Sequence, residues 1–327
     1  MTRKKKVLIQ TDFVLAKTGF GRNAKALIEY LYKTGKFEIT HLCAGTVDGH
    51  PELSRTPWKS IGCINPQQLD QLKKQNDPRA WEFIERQAGY GEYSIDGVVK
   101  STKPDVLIAI QDIWGIKFSA DREWFKHITP VYWTTLDSRP ILNDAVAIAP
   151  KVKHYWSWAD FATQDLHKLK HDNVKTVRGI IDTKHFFRLP PSERARLRKR
   201  FNIAEDVFIV GFVFRNQLRK SVPNLIQGFA QFQKNNPQIK TKLLLHTSWA
   251  EGWNIHERAD EAGVKREDIL TTYICRNCHA YEIKPFTGHN QACKFCNEQG
   301  EPPSQQFPLG KGQITTHPSI GVTESEL

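Results

Sequence analysis

The sequence lacks the long apolar runs that mark membrane proteins. No apolar stretch approaches the roughly 18–20 residues that a helix needs to cross a bilayer. The basic start, residues 1–6, leads into Val7, Leu8 and Ile9, a stretch too short for the core of a signal peptide. Low-complexity segments are absent as well. We therefore expect a folded protein of the cytoplasm with no membrane span.

Cysteine is scarce, with six residues in 327, and its spacing argues against disulfides. Cys43 and Cys63 stand alone among small or apolar neighbours, which predicts thiols that are either buried or inert at the surface. The other four cysteines form two tight pairs, and paired cysteines in such a protein indicate metal binding rather than oxidation.

The two pairs are Cys275 with Cys278 and Cys293 with Cys296, each separated by two residues. Each pair places two thiolates on one tight turn, and two such turns close a tetrahedron around Zn²⁺. Because all four positions are thiolates, no position remains for a reactive water, so the predicted zinc is structural. The alternative is four unrelated buried thiols.

The apolar content and the net charge are typical of a large, basic, folded protein. Apolar residues make up 39% of the 327 positions and aromatic residues 11%, enough for a substantial core and a length typical of two domains. The formal charge of +12 predicts attraction to phosphate-bearing partners. Charge alone does not separate nucleotides, anionic lipids and nucleic acid.

Apolar runs alternate with helical patterns along most of the chain. Such alternation predicts an α/β fold with doubly wound parallel sheets. Polar, proline-bearing residues 48–80 suggest an excursion from the sheet, and residues 182–191 suggest a hinge. The predicted strands lie near residues 6–10, 37–42, 106–110, 130–134, 154–158, 174–177, 207–213 and 242–246.

Two loops that follow strands are candidates for phosphate binding. Gly19, Phe20 and Gly21 lie between the first strand and its helix, where glycines allow a ligand to approach the backbone and the helix N-terminus. Arg215 and Lys220 follow the strand at 207–213, where they could clamp a diphosphate with charged hydrogen bonds. A bare structural turn and a solvated basic loop are the alternatives.

Together these loops resemble those of the retaining glycosyltransferases of family four, which have the GT-B fold of two Rossmann-like domains. The resemblance covers most of residues 1–250. It also includes residues 178–186, which are similar to the family's "NGVDxxxF" segment except that Arg178 stands where asparagine is common. It implies an acceptor-side domain at 1–181 and a donor-side domain at 192–327. The cysteine pairs add a predicted zinc-ribbon insertion at 273–313.

The resemblance also implies a role for each candidate residue. Arg215 and Lys220 would hold the pyrophosphate of a nucleotide-sugar donor and stabilise the leaving group without a metal. Gly19, Phe20 and Gly21 would lie on the donor. Asp137 follows an inner strand at the place where the family has a polar residue near the transferred sugar; its alternative is a turn carboxylate. Gln111 and Asp112, after the preceding strand, form a second and weaker candidate of the same kind.

The sequence departs from the family in two respects. The family's paired glutamates and its terminal crossing helix have no counterpart here, since residues 321–327 resemble only the start of that helix. The resemblance therefore predicts an incomplete second domain, completed by a missing segment or a second chain. The ribbon is also unusual for the family.

The basic chain and the run at residues 11–22 are similar to uncharacterised family members of tailed phages, some relatives of which glycosylate modified bases in DNA. This makes DNA one expected acceptor and host cytoplasm the expected location; a surface polysaccharide or lipid-linked acceptor is the alternative. A different class of function is also open. In it, the ribbon docks nucleic acid or protein and the Rossmann domains form a non-catalytic scaffold.

Overall fold

Alternating apolar strands and amphipathic helices build two α/β units, Met1–Asp182 and Thr183–Leu327. The computed structural model describes residues 3–16, 18–180, 183, 187–275, 277–289, 291–296 and 312–316. Most of the segment similar to "NGVDxxxF" (181–182 and 184–186) and the predicted helix start at 321–327 lie outside these residues.

The first unit contains a sheet of seven strands, all parallel, in the order β3-β2-β1-β4-β5-β6-β7. The strands are β1 (Lys5–Asp12), β2 (Phe37–Val47), β3 (Lys59–Ile64), β4 (Val106–Ile110), β5 (Thr129–Thr134), β6 (His154–Ser157) and β7 (Val174–Thr176). Its helices are α1 (Gly19–Lys33), α2 (Pro66–Lys74), α3 (Trp81–Tyr90), α4 (Ile95–Thr102), α5 (Asn143–Ile148) and α6 (Asp160–Lys168).

Both faces of this sheet are covered by apolar packing. Leu8 belongs to one buried cluster while its neighbours Val7 and Ile9 belong to another, because successive side chains of a strand point to opposite faces. Leu107 and Ile108 of β4 divide between the clusters in the same way. The predicted doubly wound sheet is thus confirmed for this unit.

The excursion predicted for residues 48–80 is wrong in one part. Within it, β3 pairs in parallel with β2, Leu42 facing Ile61, and forms one edge of the sheet. The strand was missed because its sequence, Lys-Ser-Ile-Gly-Cys-Ile, is polar at the start and contains a glycine, as suits an edge rather than a buried strand.

The second unit has a mixed sheet. Strands β8 (Phe208–Val213), β9 (Thr241–His246) and β10 (Ile269–Cys275) are parallel. The ribbon adds antiparallel strands β11 (Tyr281–Pro285), β12 (Gln291–Ala292) and β13 (Gln313–Thr315). The helices are α7 (Pro191–Arg200), α8 (Val222–Asn235) and α9 (Ile255–Ala262).

Strand β8 ends the second sheet within the part of the chain that the structure describes. Its apolar side chains Phe208 and Val213 are 53% and 61% exposed. Among the described residues, β8 therefore presents an exposed apolar edge. Among the described helices none has the length and apolar character to cross a bilayer.

His41 is a fully buried histidine of β2 in the core of the first unit. It faces Ile9 of β1, and its ring stacks on Phe13 at 6.2 Å between centroids. Burial lowers the pKa of His41 from 6.5 to about 4, against smaller opposing contributions from the backbone of Asp12 and Thr11. The folded protein therefore holds a neutral imidazole at pH values where the unfolded chain binds a proton.

We expect this histidine to make stability fall as the solution becomes acidic. Its contribution is complete above pH 6.5 and is lost as pH falls from 6.5 to about 4, by about 3 kcal/mol in all. Urea unfolding between pH 7 and pH 4.5 checks this. His41→Leu should flatten the profile, whereas His127→Leu, at an exposed position, should not. Equal slopes for the two variants would contradict the assignment.

Candidate functional site

Polar side chains meet at the carboxyl edge of the first sheet. Asp12 ends β1, and its carboxylate accepts hydrogen bonds from Thr18 at 2.6 Å and from Gln111. Asp112 follows β4, and its carboxylate accepts from the hydroxyl of Thr135, which follows β5. Strand ends of a parallel sheet share one edge, so residues far apart in sequence form one network.

Tyr90 at the end of α3 lies beside this network. Its carbonyl accepts a hydrogen bond from Gln10 at 2.7 Å. Burial raises the pKa of the Tyr90 phenol, and the negative charges of Asp12 and Asp112 raise it further. Tyr90 was not predicted from the sequence, because a helical pattern does not indicate which strand end the helix will reach.

The two glycines of the first loop have different roles. Thr18 caps α1 by accepting from the Gly21 amide at 3.0 Å. A Cβ on Gly21 would lie 2.7 Å from the Phe13 carbonyl oxygen, so the turn itself requires this glycine. Gly19 is exposed, and a Cβ there would meet nothing within 4 Å. Space for a ligand therefore lies at Gly19. The Phe20 ring packs edge-on against Trp158 at 5.8 Å.

Asp137 lies beyond the end of β5 and is exposed. It makes no hydrogen bond or ion pair with another described residue, and so it stands apart from the network of Asp12 and Asp112. Its predicted catalytic role stays a prediction. Asp112, the weaker candidate by sequence, is the carboxylate that the fold holds in place.

The loop between β8 and α8 (residues 214–221) gathers positive charge at a helix start. Arg215, Arg219 and Lys220 all lie within it. Ser221 precedes α8 in the left-handed conformation, with φ of 50°, and no side chain caps the helix. The start of a helix of 14 residues has free N–H groups and a positive dipole end. This arrangement suits an anion.

A second loop, between β9 and α9 (residues 247–254), braces the first. Asn216, 1% exposed, donates to the Trp253 carbonyl at 2.9 Å and accepts from the Trp253 amide at 3.1 Å. The Arg215 guanidinium pairs with Glu251 at 3.2 Å. Gly252 has a φ of +71°, and a Cβ there would lie 2.1 Å from the Asn216 carbonyl oxygen. The two loops are thus in backbone contact.

Glu251 and Asn216 were missed by sequence reasoning. Their partners are 36 and 37 residues away in the sequence. Asn216 lies between Arg215 and Lys220 in the sequence, but only its burial in the structure reveals that it holds the two loops together. One sequence signal could have identified Glu251. It is an acidic residue in the loop after β9, the strand that pairs with β8 and so brings this loop beside the cationic β8–α8 loop.

The four paired cysteines come together as the sequence predicted. Their sulfur atoms all lie within 4.8 Å of one another, with Cys275 and Cys296 at 3.4 Å and Cys278 and Cys293 at 3.7 Å. A tetrahedral site with metal–sulfur bonds of about 2.3 Å has sulfur–sulfur edges of about 3.8 Å. The donor set therefore fits a four-thiolate metal site. Cys43 and Cys63, by contrast, are free and buried.

Hydrogen bonds shape the first of the two cysteine turns. The amides of Asn277 and Cys278 point to the Cys275 sulfur at 3.4 and 3.5 Å. His279 follows with a φ of 58°, which turns the chain back into β11. A side-chain hydrogen bond with Cys278 is the largest of the effects that raise the pKa of the Cys296 thiol, and burial raises it further.

Comparison with known proteins identifies the fold. No protein-family model matches the chain, and no curated protein matches it. Among solved structures, the N-terminal domain of Candida albicans trehalose-6-phosphate phosphatase is 12% identical, with a TM-score of 0.51 over 80% of this chain and 68% of that one. At this identity the likeness shows the fold alone.

Two further solved structures have lower scores. A lipopolysaccharide outer core galactosyltransferase has a TM-score of 0.49 at 13% identity, over 82% of this chain and 67% of that one. UDP-GlcNAc 2-epimerase from Neisseria meningitidis, bound to UDP-GlcNAc, has 0.46 at 12%, over 82% and 71%. The predicted α/β fold class is confirmed by the parallel strands of the structure and by the likeness to the Candida albicans domain.

We expect the purified chain to bind one zinc ion through the four cysteines. Replacing Cys275 and Cys278 together by serine should abolish the bound metal, since two ligands of four are lost. Metal analysis by mass spectrometry measures this. The control Cys43→Ala removes a buried thiol outside the cluster and should leave the metal unchanged. Equal metal in the double variant and the wild type would contradict the site.

Proposed function

We propose that this protein is a glycosyltransferase that binds a nucleotide-sugar through the β8–α8 loop of its second unit. The observation that carries the proposal is the uncapped start of α8, with Arg215 and Lys220 beside it on a loop held by Asn216. Helix starts with nearby cations bind phosphate groups in many proteins. The GT-B-like fold supports the assignment.

In this proposal, Arg215 and Lys220 bind the donor's pyrophosphate. Glu251 accepts from Nε and Nη2 of Arg215 through one oxygen, so the guanidinium is oriented before a ligand arrives. Charge builds up on the leaving phosphate as the bond to the sugar breaks. Fixed cations and helix amides stabilise that charge without reorganising, which is the main source of catalysis here. The transfer step uses no metal.

The first unit, residues 1–181, is proposed as the acceptor side, and residues 192–327 as the donor side with the ribbon at 273–313. Gly19 leaves open space that suits the distal phosphate or sugar. Phe20 and Gly21 would hold the backbone of the Gly19 loop in position beside the donor. Asp137 is the proposed catalytic carboxylate near the sugar. Asp112 is its competitor, because Thr135 holds it at the carboxyl edge of the sheet.

The zinc we propose for the ribbon is structural. Four thiolates complete its coordination, and the acceptor is then recognised by protein surface rather than by the metal. We propose a hydroxyl of a modified base in phage DNA as the acceptor. The formal charge of +12 supports a polyanionic substrate.

One observation favours a second function, that of a non-catalytic nucleic-acid-binding module. Helix α7 has five basic residues in ten and buries none of its side chains. It joins the ribbon through Phe201, which packs on Tyr281 at 5.3 Å, and through Arg200, which lies over the same ring. Binding to DNA that is sensitive to salt, with no binding to any nucleotide-sugar, would favour this function over transfer.

We expect the β8–α8 loop to determine donor affinity. Replacing Arg215 or Lys220 by alanine should weaken binding of the preferred UDP-, GDP- or ADP-sugar by about tenfold or more, since each removes a charged hydrogen bond of about 1.5–3 kcal/mol. Calorimetric titration measures the affinities. Lys234→Ala, which removes an equal charge at the exposed far end of α8, is the matched control and should change affinity less than threefold. A wild-type chain that binds no donor would refute the assignment.

A carboxylate that contacts the sugar should contribute to the affinity for the whole nucleotide-sugar but not to the affinity for its nucleoside diphosphate. We therefore expect Asp137→Asn to weaken binding of the nucleotide-sugar while leaving the affinity for the bare nucleoside diphosphate unchanged. Asp112→Asn distinguishes the competitor in the same pair of titrations. If Asp112→Asn alone weakens nucleotide-sugar binding without changing the affinity for the nucleoside diphosphate, the role belongs to Asp112.

A further inference from the structure

The zinc ribbon contacts the loop that braces Arg215, and this contact has a consequence for phosphate binding. Trp249 lies in the β9–α9 loop, two residues before Glu251. Its ring stacks on Phe286 of the ribbon with 4.2 Å between centroids and 4° between planes. A parallel aromatic contact this close fixes the position of both rings.

Trp249 is anchored on its other sides as well. Its indole N–H donates to the Thr271 hydroxyl of β10 at 2.8 Å, and that hydroxyl donates to the Leu245 carbonyl at 3.0 Å. The His256 ring meets its edge at 5.0 Å. The indole therefore connects β9, β10, α9 and the ribbon. Its position sets where the β9–α9 loop begins.

Phe286 takes its own position from the metal cluster. It follows β11 directly and packs with a small buried group of four residues, Tyr273, Cys275, Cys293 and Ile314. The Tyr273 ring is parallel to Phe286 at 6.2 Å. The Tyr273 hydroxyl donates to the Gly288 carbonyl at 2.8 Å and accepts from the Thr287 amide at 3.0 Å. These bonds close the turn that presents Phe286.

That buried group is small, so we infer that the turn depends on the metal in addition to the pairing of β11 with β10. Two of its four members, Cys275 and Cys293, are cysteines of the metal cluster. Small cysteine ribbons fold when the metal binds, because metal binding replaces the hydrophobic core that they lack. Without the metal, the turn after β11 would keep only its attachment to β10, and Phe286 would be held less firmly against Trp249.

From these contacts we propose that the ribbon positions the phosphate-binding loop. The bound metal fixes Phe286, Phe286 fixes Trp249, and Trp249 sets the loop whose Glu251 and Trp253 hold Arg215 and Asn216. Trp249 and Phe286 are positioning residues and touch no substrate. The inference rests on the proposed function in one respect only, which is that the ligand of Arg215 is the donor's pyrophosphate.

Hydrogen exchange tests the coupling with no ligand present. In the full chain, removal of zinc by a chelator should speed amide exchange in residues 247–254 and 214–221. Phe286→Ala should do the same with zinc still bound, and Phe286→Tyr, which keeps the ring, should restore slow exchange. Phe295→Ala is the matched control, because that ribbon ring is 47% exposed and is not among the rings that contact Trp249.

Titration with inorganic pyrophosphate tests the consequence. Loss of one aromatic contact should lower pyrophosphate affinity by roughly 3- to 10-fold in Phe286→Ala and Trp249→Ala. Affinity should be unchanged in Phe286→Tyr and Phe295→Ala. Trp249 lies outside the ribbon, so Trp249→Ala remains informative even where Phe286→Ala loses its zinc.

Three results overturn the proposal in distinguishable ways. Unchanged exchange after zinc removal and in Phe286→Ala shows that the ribbon does not order the loop. Altered exchange with unchanged pyrophosphate affinity shows that the ordering has no role in binding. If the wild type binds neither pyrophosphate nor a nucleotide-sugar, the proposed function fails with it, whereas the first two results leave that function intact.

Discussion

Burial of both faces of a parallel sheet is the constraint on which the rest of this molecule depends. When every residue of a strand packs against apolar neighbours, as Leu107 to Ile110 of β4 do, polar side chains must lie where strands end. Asp12, Asp112 and Thr135 all lie at such ends. In the second unit the basic loop also follows a strand end, but β8 is an edge strand of the described sheet, without buried side chains. The rule therefore locates the polar network of the first unit, while the second unit shares only the position at a strand end.

This constraint also explains how much of the fold the sequence predicts. Continuous apolar runs such as Val106–Ile110 mark buried strands, and the spacing of Ala24, Leu27, Ile28 and Leu31 marks α1. The cysteine pairs predict their own cluster, since two tight turns contain all four ligands. Edge strand β3 lacks this signal because it is apolar only in part.

The candidate site is less predictable, for a physical reason. Arg215 and Gly19 follow strands and are recognised locally, whereas Asn216 and Glu251 act through partners 36 and 37 residues away. The contact of Phe286 with Trp249 is of the same kind. Sequence patterns report on local geometry, and a contact between two loops depends on the register of the sheet that carries both.

The close approach of Asn216 and Gly252 has a consequence for finding related chains. The Asn216 side chain is buried and hydrogen-bonded to the backbone of Trp253, the residue after Gly252. Gly252 itself has no room for a Cβ. Neither position can change alone without separating the loops, so the two should be exchanged together or retained together. An asparagine directly after the arginine that follows a strand, with a glycine in the next strand's loop, is thus a search pattern for distant relatives whose overall identity is too low to reveal them.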